Sequence, residues 1–472
     1  MDPPISAFGP VSWAAYSRIR FFLFGPLRPG GLRDQPAKPV LETSCNMVSQ
    51  SVDHALPMNT IHVRLLKYAD YAYRIIKALI FSLIAEPLLC LARSRGVDVG
   101  SHWLISERGG EARDNGLHLF HHIVENEADI KVLYAADPER PDSSIASNLG
   151  TTVKYGSFRH HLAWRSADVV ASTHAYAGAP NGKGSYMFTP RRKGSVHVFL
   201  KHGIMQSHHT HYTGATHLDL LICGALREQR YLERNRTSRT SWTAVNTGLA
   251  RFDALARAPA PSRQVLFMPT FRKWLHDLSR LRPSQKDHRF RRTRYYQAVQ
   301  GLLECGTLRE VLRDNELKLV LYPHPRIHGF LDSFESSVPE IEIVRYGRED
   351  LQSIMMSSGM LITDYSSVSF DFAYMRRPVV YYQFGKREYR KYQYKKGYFS
   401  YERDGFGPVT SSTVTVAEEV KRAVRRGFAM TPVYHQRAED FLGPPDDRNC
   451  ERIVQEVKRA RSERVAGQTA CL

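Results

Sequence analysis

The chain has 472 residues, 42% of them hydrophobic and 11% aromatic, ample for folded cores and more than one core usually supports, so two domains with attachments are expected. Its 66 Lys and Arg against 47 Asp and Glu leave a formal charge of +19, which suits nucleic acid, anionic lipid or a polyanionic substrate; no finger, homeodomain or RNA-binding signature supports the first. Six scattered cysteines (Cys45, Cys90, Cys223, Cys305, Cys450, Cys471) give neither a disulfide framework nor a zinc spacing, and fit a reducing compartment.

Residues 1–58 are rich in Pro, Gly and Arg without a sustained period and read as a disordered leader. Residues 59–97 read as helical. The apolar run Ile75–Ala92 is interrupted by Lys77 and by Glu86-Pro87, which argues against a spanning helix, and Lys67, Arg74, Lys77, Arg93 and Arg95 flank it. Such a segment suits a helix lying on anionic lipid, or a helical hairpin packed on the body. From His102 short apolar runs alternate with helical patterns, with strands at 102–106, 131–134, 169–172, 196–200, 218–223 and 243–246. This βα repeat predicts a mainly parallel sheet in a domain over 98–256. Pro259 and Pro261 mark a linker. A second βα series over 257–432 places strands at 264–268, 318–322, 341–344, 360–363 and 379–382, with a long basic loop from Arg272 to Arg294. Residues 433–472 end in a helix that could cross back to the first domain. The expected fold is therefore α/β: two Rossmann-like, doubly wound parallel-sheet domains facing across a cleft, with N-terminal helices.

In such sheets ligands sit beyond the carboxyl ends of strands. Several strand ends here are polar: Lys201-His202-Gly203, Thr247 to Asp253, Pro269-Thr270-Phe271-Arg272, Pro323-His324-Pro325-Arg326, and Thr363-Asp364-Tyr365-Ser366-Ser367. The last joins a strand to a helix start, an arrangement that offers an anion hydroxyls and free N–H groups, although Ser366 or Ser367 could simply cap the helix. The set suits a diphosphate, with charge neutralised by Arg272, Arg326 and a protonated His324, and with donors from Thr270, Ser366 and Ser367. Taken alone, a His-Gly pair is more often a polar turn than a base, and the nearby His208, His209 and His211 read as a solvated loop. Asp371, two helical turns past Asp364, reads as a partner for a cleft His or Arg, or as an ordinary carboxylate in the first half of the helix.

At these residues the chain resembles the CDP-glycerol glycerophosphotransferases, the teichoic-acid primase and polymerase family, from about Trp103 to Tyr434. The most specific likeness is Thr363-Asp364-Tyr365-Ser366-Ser367 followed by Phe370-Asp371, with Pro269-Thr270-Phe271-Arg272 and His324-Pro325-Arg326 in the family's order. The stretches Ile105 to Arg108 and Asp114 to Gly116 resemble its opening strand and helix. The resemblance implies a glycosyltransferase-B type fold, a CDP-glycerol donor in the second domain and a lipid-linked or polymeric acceptor near the first, at the cytoplasmic face of the membrane. It implies His202 as general base, and His324, Ser366, Ser367 and Asp371 in the donor-phosphate region. Around them Lys201, Gly203, Arg251, Asp253, Pro269, Thr270, Arg272, Arg326, Thr363 and Asp364 are expected to bind substrate. No Asp-x-Asp stands at a strand end, so no metal or other cofactor is expected, and no nucleic acid partner. Ile204-Met205-Gln206-Ser207 replaces the family's usual Thr-Pro-Leu-Lys after His-Gly, and Ala250 replaces its Pro. Both departures fall on the acceptor side or near the hinge. A CDP-ribitol or nucleotide-sugar donor, or a non-catalytic basic binder on the same fold, remain the alternatives.

Overall fold

The computed structural model describes residues 60–469, apart from 97–98, 100, 141, 177, 181, 183–191, 209–214, 216, 279–280 and 346–349. The expected disordered leader, His209 and His211 lie outside the described residues. The chain folds around two all-parallel sheets. The first contains β1 (Trp103–Ser106), β2 (Val132–Ala136), β3 (Thr152–Lys154), β4 (Val169–Ser172), β5 (Val196–Phe199), β6 (Leu220–Cys223) and β7 (Thr243–Asn246), in the order β3-β2-β1-β4-β5-β6-β7. The second contains β8 (Ser262–Met268), β9 (Lys318–Leu321), β10 (Ile341–Ile343), β11 (Ser358–Thr363), β12 (Val379–Tyr382) and β13 (Val409–Thr410), in the order β10-β9-β8-β11-β12-β13. The central strands are continuous apolar runs because helices cover both faces; β4, β5, β6, β11 and β12 are buried at every position. Strand order reverses between β1 and β4, paired Ser106 to Ser172, and between β8 and β11, paired Met268 to Thr363. Each sheet thus has one switch point, and a crevice opens at its carboxyl end.

Some expected elements differ in detail. The edge strands β3 and β13, three and two residues long, leave no readable alternation and went unpredicted. The basic loop after Arg272 contains the helices Leu275–Leu278 and Pro283–Arg291, whose Leu275 and Phe290 are buried. Beyond that loop two separate helices follow, Arg294–Leu303 and Gly306–Asp314.

The N-terminal helix Thr60–Ser94 runs unbroken through Pro87 and is not a hairpin. Ala85, Leu89 and Ala92 bury against Leu162, and Phe81 meets Phe158 edge-on. Glu86, which seemed out of place in an apolar run, accepts from Arg165 at 3.1 Å. The opposite ridge carries Leu79, Ile80, Leu83 and Ile84 in the open, Leu83 at 75% exposure. The C-terminal helix Asn449–Thr469 packs on the first sheet, with Lys458 bound to Glu127 at 2.7 Å. Its start is locked by Asp253, whose carboxylate accepts from the backbone N–H groups of Asn449 (2.7 Å) and Cys450 (2.9 Å). Gly248 is required there: its φ is +83°, and a Cβ would lie 1.7 Å from the Asn449 amide oxygen.

Candidate active site

Both switch points open into one cavity of about 500 Å³ between the sheets. His202, Gly203 and Arg251 line it from the first domain, and Thr270, His324, Ser366, Ser367 and Asp371 from the second. Residues more than a hundred positions apart therefore share one crevice. The approach is close: a Cβ on Gly203 would stand 2.7 Å from the Ser367 hydroxyl, so glycine lets the two walls meet.

On the second wall, Asp364 ties the ends of β8 and β11 together. Its Oδ1 accepts from the N–H groups of Thr270 (2.8 Å) and Tyr365 (2.7 Å), and its Oδ2 accepts from Arg272 (2.6 Å). Thr363 donates to the Met268 carbonyl at 2.6 Å, closing the same joint. The hydroxyls this frame presents are unfilled. Thr270 Oγ1 and the Tyr365 hydroxyl are buried without a hydrogen-bond partner, and both residues line the cavity. A buried hydroxyl left in this way costs free energy unless something fills it, which marks the wall as a place for a polar ligand. Ser366 Oγ accepts from Val368 N–H at 3.3 Å and so acts partly as the cap considered from sequence; Ser367 makes no side-chain cap. The helix behind them, Val368–Tyr374, has only seven residues, so its dipole is a minor contributor beside the hydroxyls.

His324 opens into the cavity from the Pro-flanked turn after β9. Its Nδ1 accepts from the Arg326 backbone N–H at 3.1 Å, which leaves the ring proton on Nε2 and free to donate. The ring stacks on Phe271 at 5.7 Å. The side chain is exposed in the open cleft, but crowding by the cleft walls, reinforced by the charge of Arg326, lowers its pKa to about 4. In the ligand-free protein His324 is therefore a neutral imidazole and a hydrogen-bond donor, because the surrounding protein and a fixed cation oppose its charge; the protonated form expected from sequence needs an anion beside it.

On the first wall, His202 follows a strained residue. Lys201 has φ +57°, and its ammonium lies 2.6 Å from Glu228 in full burial. Glu228 also accepts from the N–H groups of Met205 (2.6 Å) and Gly224 (3.0 Å), pinning the loop on both sides of His202. Asn115 donates to the Lys201 carbonyl at 2.9 Å and accepts from Arg251 N–H at 3.0 Å. Arg251 holds the domains together: it grips Asp371 in two-point fashion (2.6 and 3.1 Å), Asp114 at 3.0 Å and the His202 carbonyl at 3.1 Å. Burial opposes its charge, but the two carboxylates outweigh that and raise its pKa. The His202 ring lies parallel to that of His174, 5.1 Å away; although it is exposed in the open cleft, crowding by the cleft walls lowers its pKa and favours the neutral ring.

The expected substrate-binding residues thus divide. Gly203, Arg251, Pro269, Thr270, Ser366 and Ser367 line the cavity, as do the expected catalytic residues His202, His324 and Asp371. Lys201, Arg272, Thr363 and Asp364 are buried supports, and expecting them to touch substrate is corrected. Arg272 cannot neutralise a ligand: it is 2% exposed, paired with Asp364, and ringed by Tyr295, Tyr365, Phe384 and Tyr389 within 5.6 Å. Asp253 is committed to the C-terminal helix. It lies with His122 and Cys450 in a group whose ligand atoms fall within 4.8 Å, but its oxygens are already taken by N–H donors. Arg326 is exposed, over the Phe271 ring at 5.5 Å, beside the cavity.

Sequence reasoning missed Asp114, His174, Gln206, Tyr389 and Tyr394, which also line the cavity. His174 was within reach, since it stands two residues after the end of β4, a polar group at a switch point like the others. Gln206 sits in the segment where this chain departs from its family; it donates to the Ser366 carbonyl at 3.0 Å and accepts from the Tyr401 hydroxyl, joining the domains beside His202.

A model of the CDP-Glycerol:Poly(glycerophosphate) glycerophosphotransferase family matches residues 89–459. The minor teichoic acid biosynthesis protein GgaB of Bacillus subtilis (strain 168) is 28% identical over 371 residues, covering 77% of this chain and 40% of GgaB. A teichoic acid poly(glycerol phosphate) polymerase of the same organism is 30% identical over 112 residues, covering 24% of this chain and 15% of the polymerase. The chain spans less than half the length of these relatives. Among solved structures, the wall teichoic acid polymerase TagF superposes with a TM-score of 0.59 at 15% identity, covering 88% of this chain and 98% of that one, a likeness of fold. The family match takes in both sheets and every wall of the cavity, and the chain belongs to the CDP-glycerol:poly(glycerophosphate) glycerophosphotransferase family.

Proposed function

We propose that the protein transfers a glycerol-phosphate unit from CDP-glycerol to a hydroxyl of a membrane-borne glycan or polyol-phosphate acceptor, in the synthesis of a teichoic-acid-like or capsular surface polymer. The observation that carries this reading is the single cavity in which His202, with no described partner on its ring nitrogens, faces hydroxyls that have none either. The acceptor oxygen attacks the phosphorus that bears glycerol. A new P–O bond forms, the P–O bond to cytidine monophosphate breaks, and the acceptor proton passes to His202. A neutral imidazole is the form that can take it, and the lowered pKa keeps it so. Thr270, Tyr365, Ser366 and Ser367 receive the diphosphate, and His324 donates through Nε2–H to the leaving phosphate. Asp371 acts through Arg251, which fixes the His202 carbonyl. Rate comes from positioning and from donors already aimed at the developing charge, with no metal required.

The helix Thr60–Ser94 supplies the placement. Its 26-residue stretch Ala69–Ser94 is long and apolar enough to cross a membrane. One face, however, is packed on the body and anchored by Glu86 and Arg165, which supports a helix lying at the membrane with Leu79, Ile80, Leu83 and Ile84 in the lipid. Each such side chain contributes about 1.5–3 kcal/mol when fully buried. The protein would then work at the cytoplasmic face, with the acceptor beside it.

The test is to incubate purified protein and acceptor with CDP-glycerol, CDP-ribitol and UDP-sugars in turn, and follow release of CMP or UDP. CMP from CDP-glycerol alone is expected. CMP from CDP-ribitol alone would move the donor, and UDP release would overturn the class.

A further inference from the structure

The segment 386–396, Lys-Arg-Glu-Tyr-Arg-Lys-Tyr-Gln-Tyr-Lys-Lys, carries six cations against one carboxylate. Its two faces differ. Tyr389 and Tyr394 point inward and line the cavity. Lys386, Arg387, Lys391, Lys395 and Lys396 are exposed. Lys386 pairs with Glu402; among the described residues Arg387, Arg390, Lys391, Lys395 and Lys396 have no ion-pair partner.

The strip is held in place. Gln393 donates to the Phe271 carbonyl at 2.9 Å and accepts from the Lys273 backbone N–H at 2.8 Å, and the Lys273 ammonium donates to the Gln393 carbonyl at 3.0 Å. Gly397 closes the segment against the first domain; a Cβ there would lie 2.2 Å from the Gln206 carbonyl oxygen. A fixed row of unneutralised cations that begins on the cavity wall costs self-repulsion, which a bound polyanion would relieve.

We propose that the outer face of 386–396 is a track for a chain of phosphodiesters, along which a poly(glycerol phosphate) acceptor lies as its end enters the cavity. The identity of the polymer rests on the transfer reading above; the polyanion site does not. A lipid surface is the other anionic partner to consider, and the composition argues against it. The segment contains no aliphatic side chain, and its only strongly exposed aromatic is Tyr392, whereas an interfacial helix needs an apolar face to insert. That face exists elsewhere, on the N-terminal helix.

The experiment compares the full chain with a variant carrying Arg387→Gln, Lys391→Gln, Lys395→Gln and Lys396→Gln, all exposed and outside the cavity wall. The probe is a fluorescently labelled poly(glycerol phosphate) oligomer, read by anisotropy across a salt series. The variant should bind roughly tenfold or more weakly at low salt, with a shallower dependence on salt concentration, because fewer counterions are released. Co-sedimentation with phosphatidylglycerol vesicles and CMP release with a short, uncharged acceptor should stay as in the parent. Equal oligomer affinity in the two proteins, no oligomer binding by the parent, or a loss of vesicle binding by the same factor would each overturn the track. If neither protein releases CMP, the transfer reading fails while the anisotropy comparison still decides this one.

Discussion

The two walls of the cleft are built on opposite plans. Around His202 every support is occupied: Lys201 by Glu228, the Lys201 carbonyl by Asn115, and the His202 carbonyl by Arg251. What is left open is the imidazole itself. Around Ser366 and Ser367 the frame is equally fixed, through Asp364 and Arg272, but the groups it presents are not satisfied. A saturated wall holds one reactive group still. A wall with spare hydrogen-bonding capacity can receive a polar ligand. On the proposed reading the base belongs to the first domain and the donor to the second, and the two plans should fail differently when broken.

The largest effect is expected on the first wall. His202→Ala should lower turnover by roughly 10²-fold or more, the scale of acid–base groups, while CDP-glycerol still binds the second wall with its parent affinity. Turnover by single-turnover kinetics and affinity by calorimetry separate the two, and near-parental turnover at saturation would remove His202 from the role of base.

Next comes the tie between the walls. Asp371→Ala leaves Arg251 buried without its two-point partner, and breaking such a pair typically costs about 3–5 kcal/mol. Thermal or denaturant unfolding should show the loss. Asp371→Asn, similar in size and still able to accept one hydrogen bond, should recover part of the stability. If stability is unchanged in both, Arg251 does not hold the domains as the geometry indicates.

Thr270→Val sharpens the contrast because its two effects have opposite signs. In the free protein it removes a buried hydroxyl with no partner, so stability should stay level or rise by up to about 1 kcal/mol. With CDP-glycerol present it removes a donor, so affinity should fall by roughly ten- to a hundredfold, the worth of one hydrogen bond to a charged group. A loss of stability with no change in affinity would place that hydroxyl on protein and not on ligand.

What could be read in the sequence follows the same division. Apart from the short edge strands β3 and β13, the strands were legible because they are short apolar runs between turn residues, and His202, His324 and Ser366 were legible because they stand directly after such runs. The buried supports were not separable from the ligand-facing groups. Arg272 and Arg326 each belong to a polar turn after a strand, and only the tertiary fold shows that aromatic rings enclose one while the other remains in the open. The same holds for Lys201, which is adjacent to His202 and yet points into the protein. Asp114 and Gln206 were hidden for another reason: their meaning lies in what they touch across the cleft, and no local pattern encodes that. His174 obeyed the strand-end rule and was passed over when the rule was applied to only some of the strands.

The smallest effect tests the second wall alone. His324 has a pKa of about 4 in the empty cavity. A diphosphate beside Nε2–H favours the protonated ring, so its pKa must rise when the donor binds. The sign follows from linkage. Below the free-state pKa the ring is already charged and affinity is at its highest; between the free and bound pKa values affinity falls as pH rises; above the bound value it is flat. The donor should therefore bind with proton uptake on the acid side of neutrality. The His202→Ala variant is the protein to use, since it removes a second cavity imidazole and, on the proposed reading, spares the donor from turnover. Calorimetry in two buffers of different ionisation enthalpy counts the protons directly. His324→Gln, which keeps a hydrogen-bond donor but does not titrate, should bind CDP-glycerol a few-fold more weakly and abolish the uptake. Uptake that persists in that variant would assign the proton to a different group and leave His324 as a neutral donor in both states.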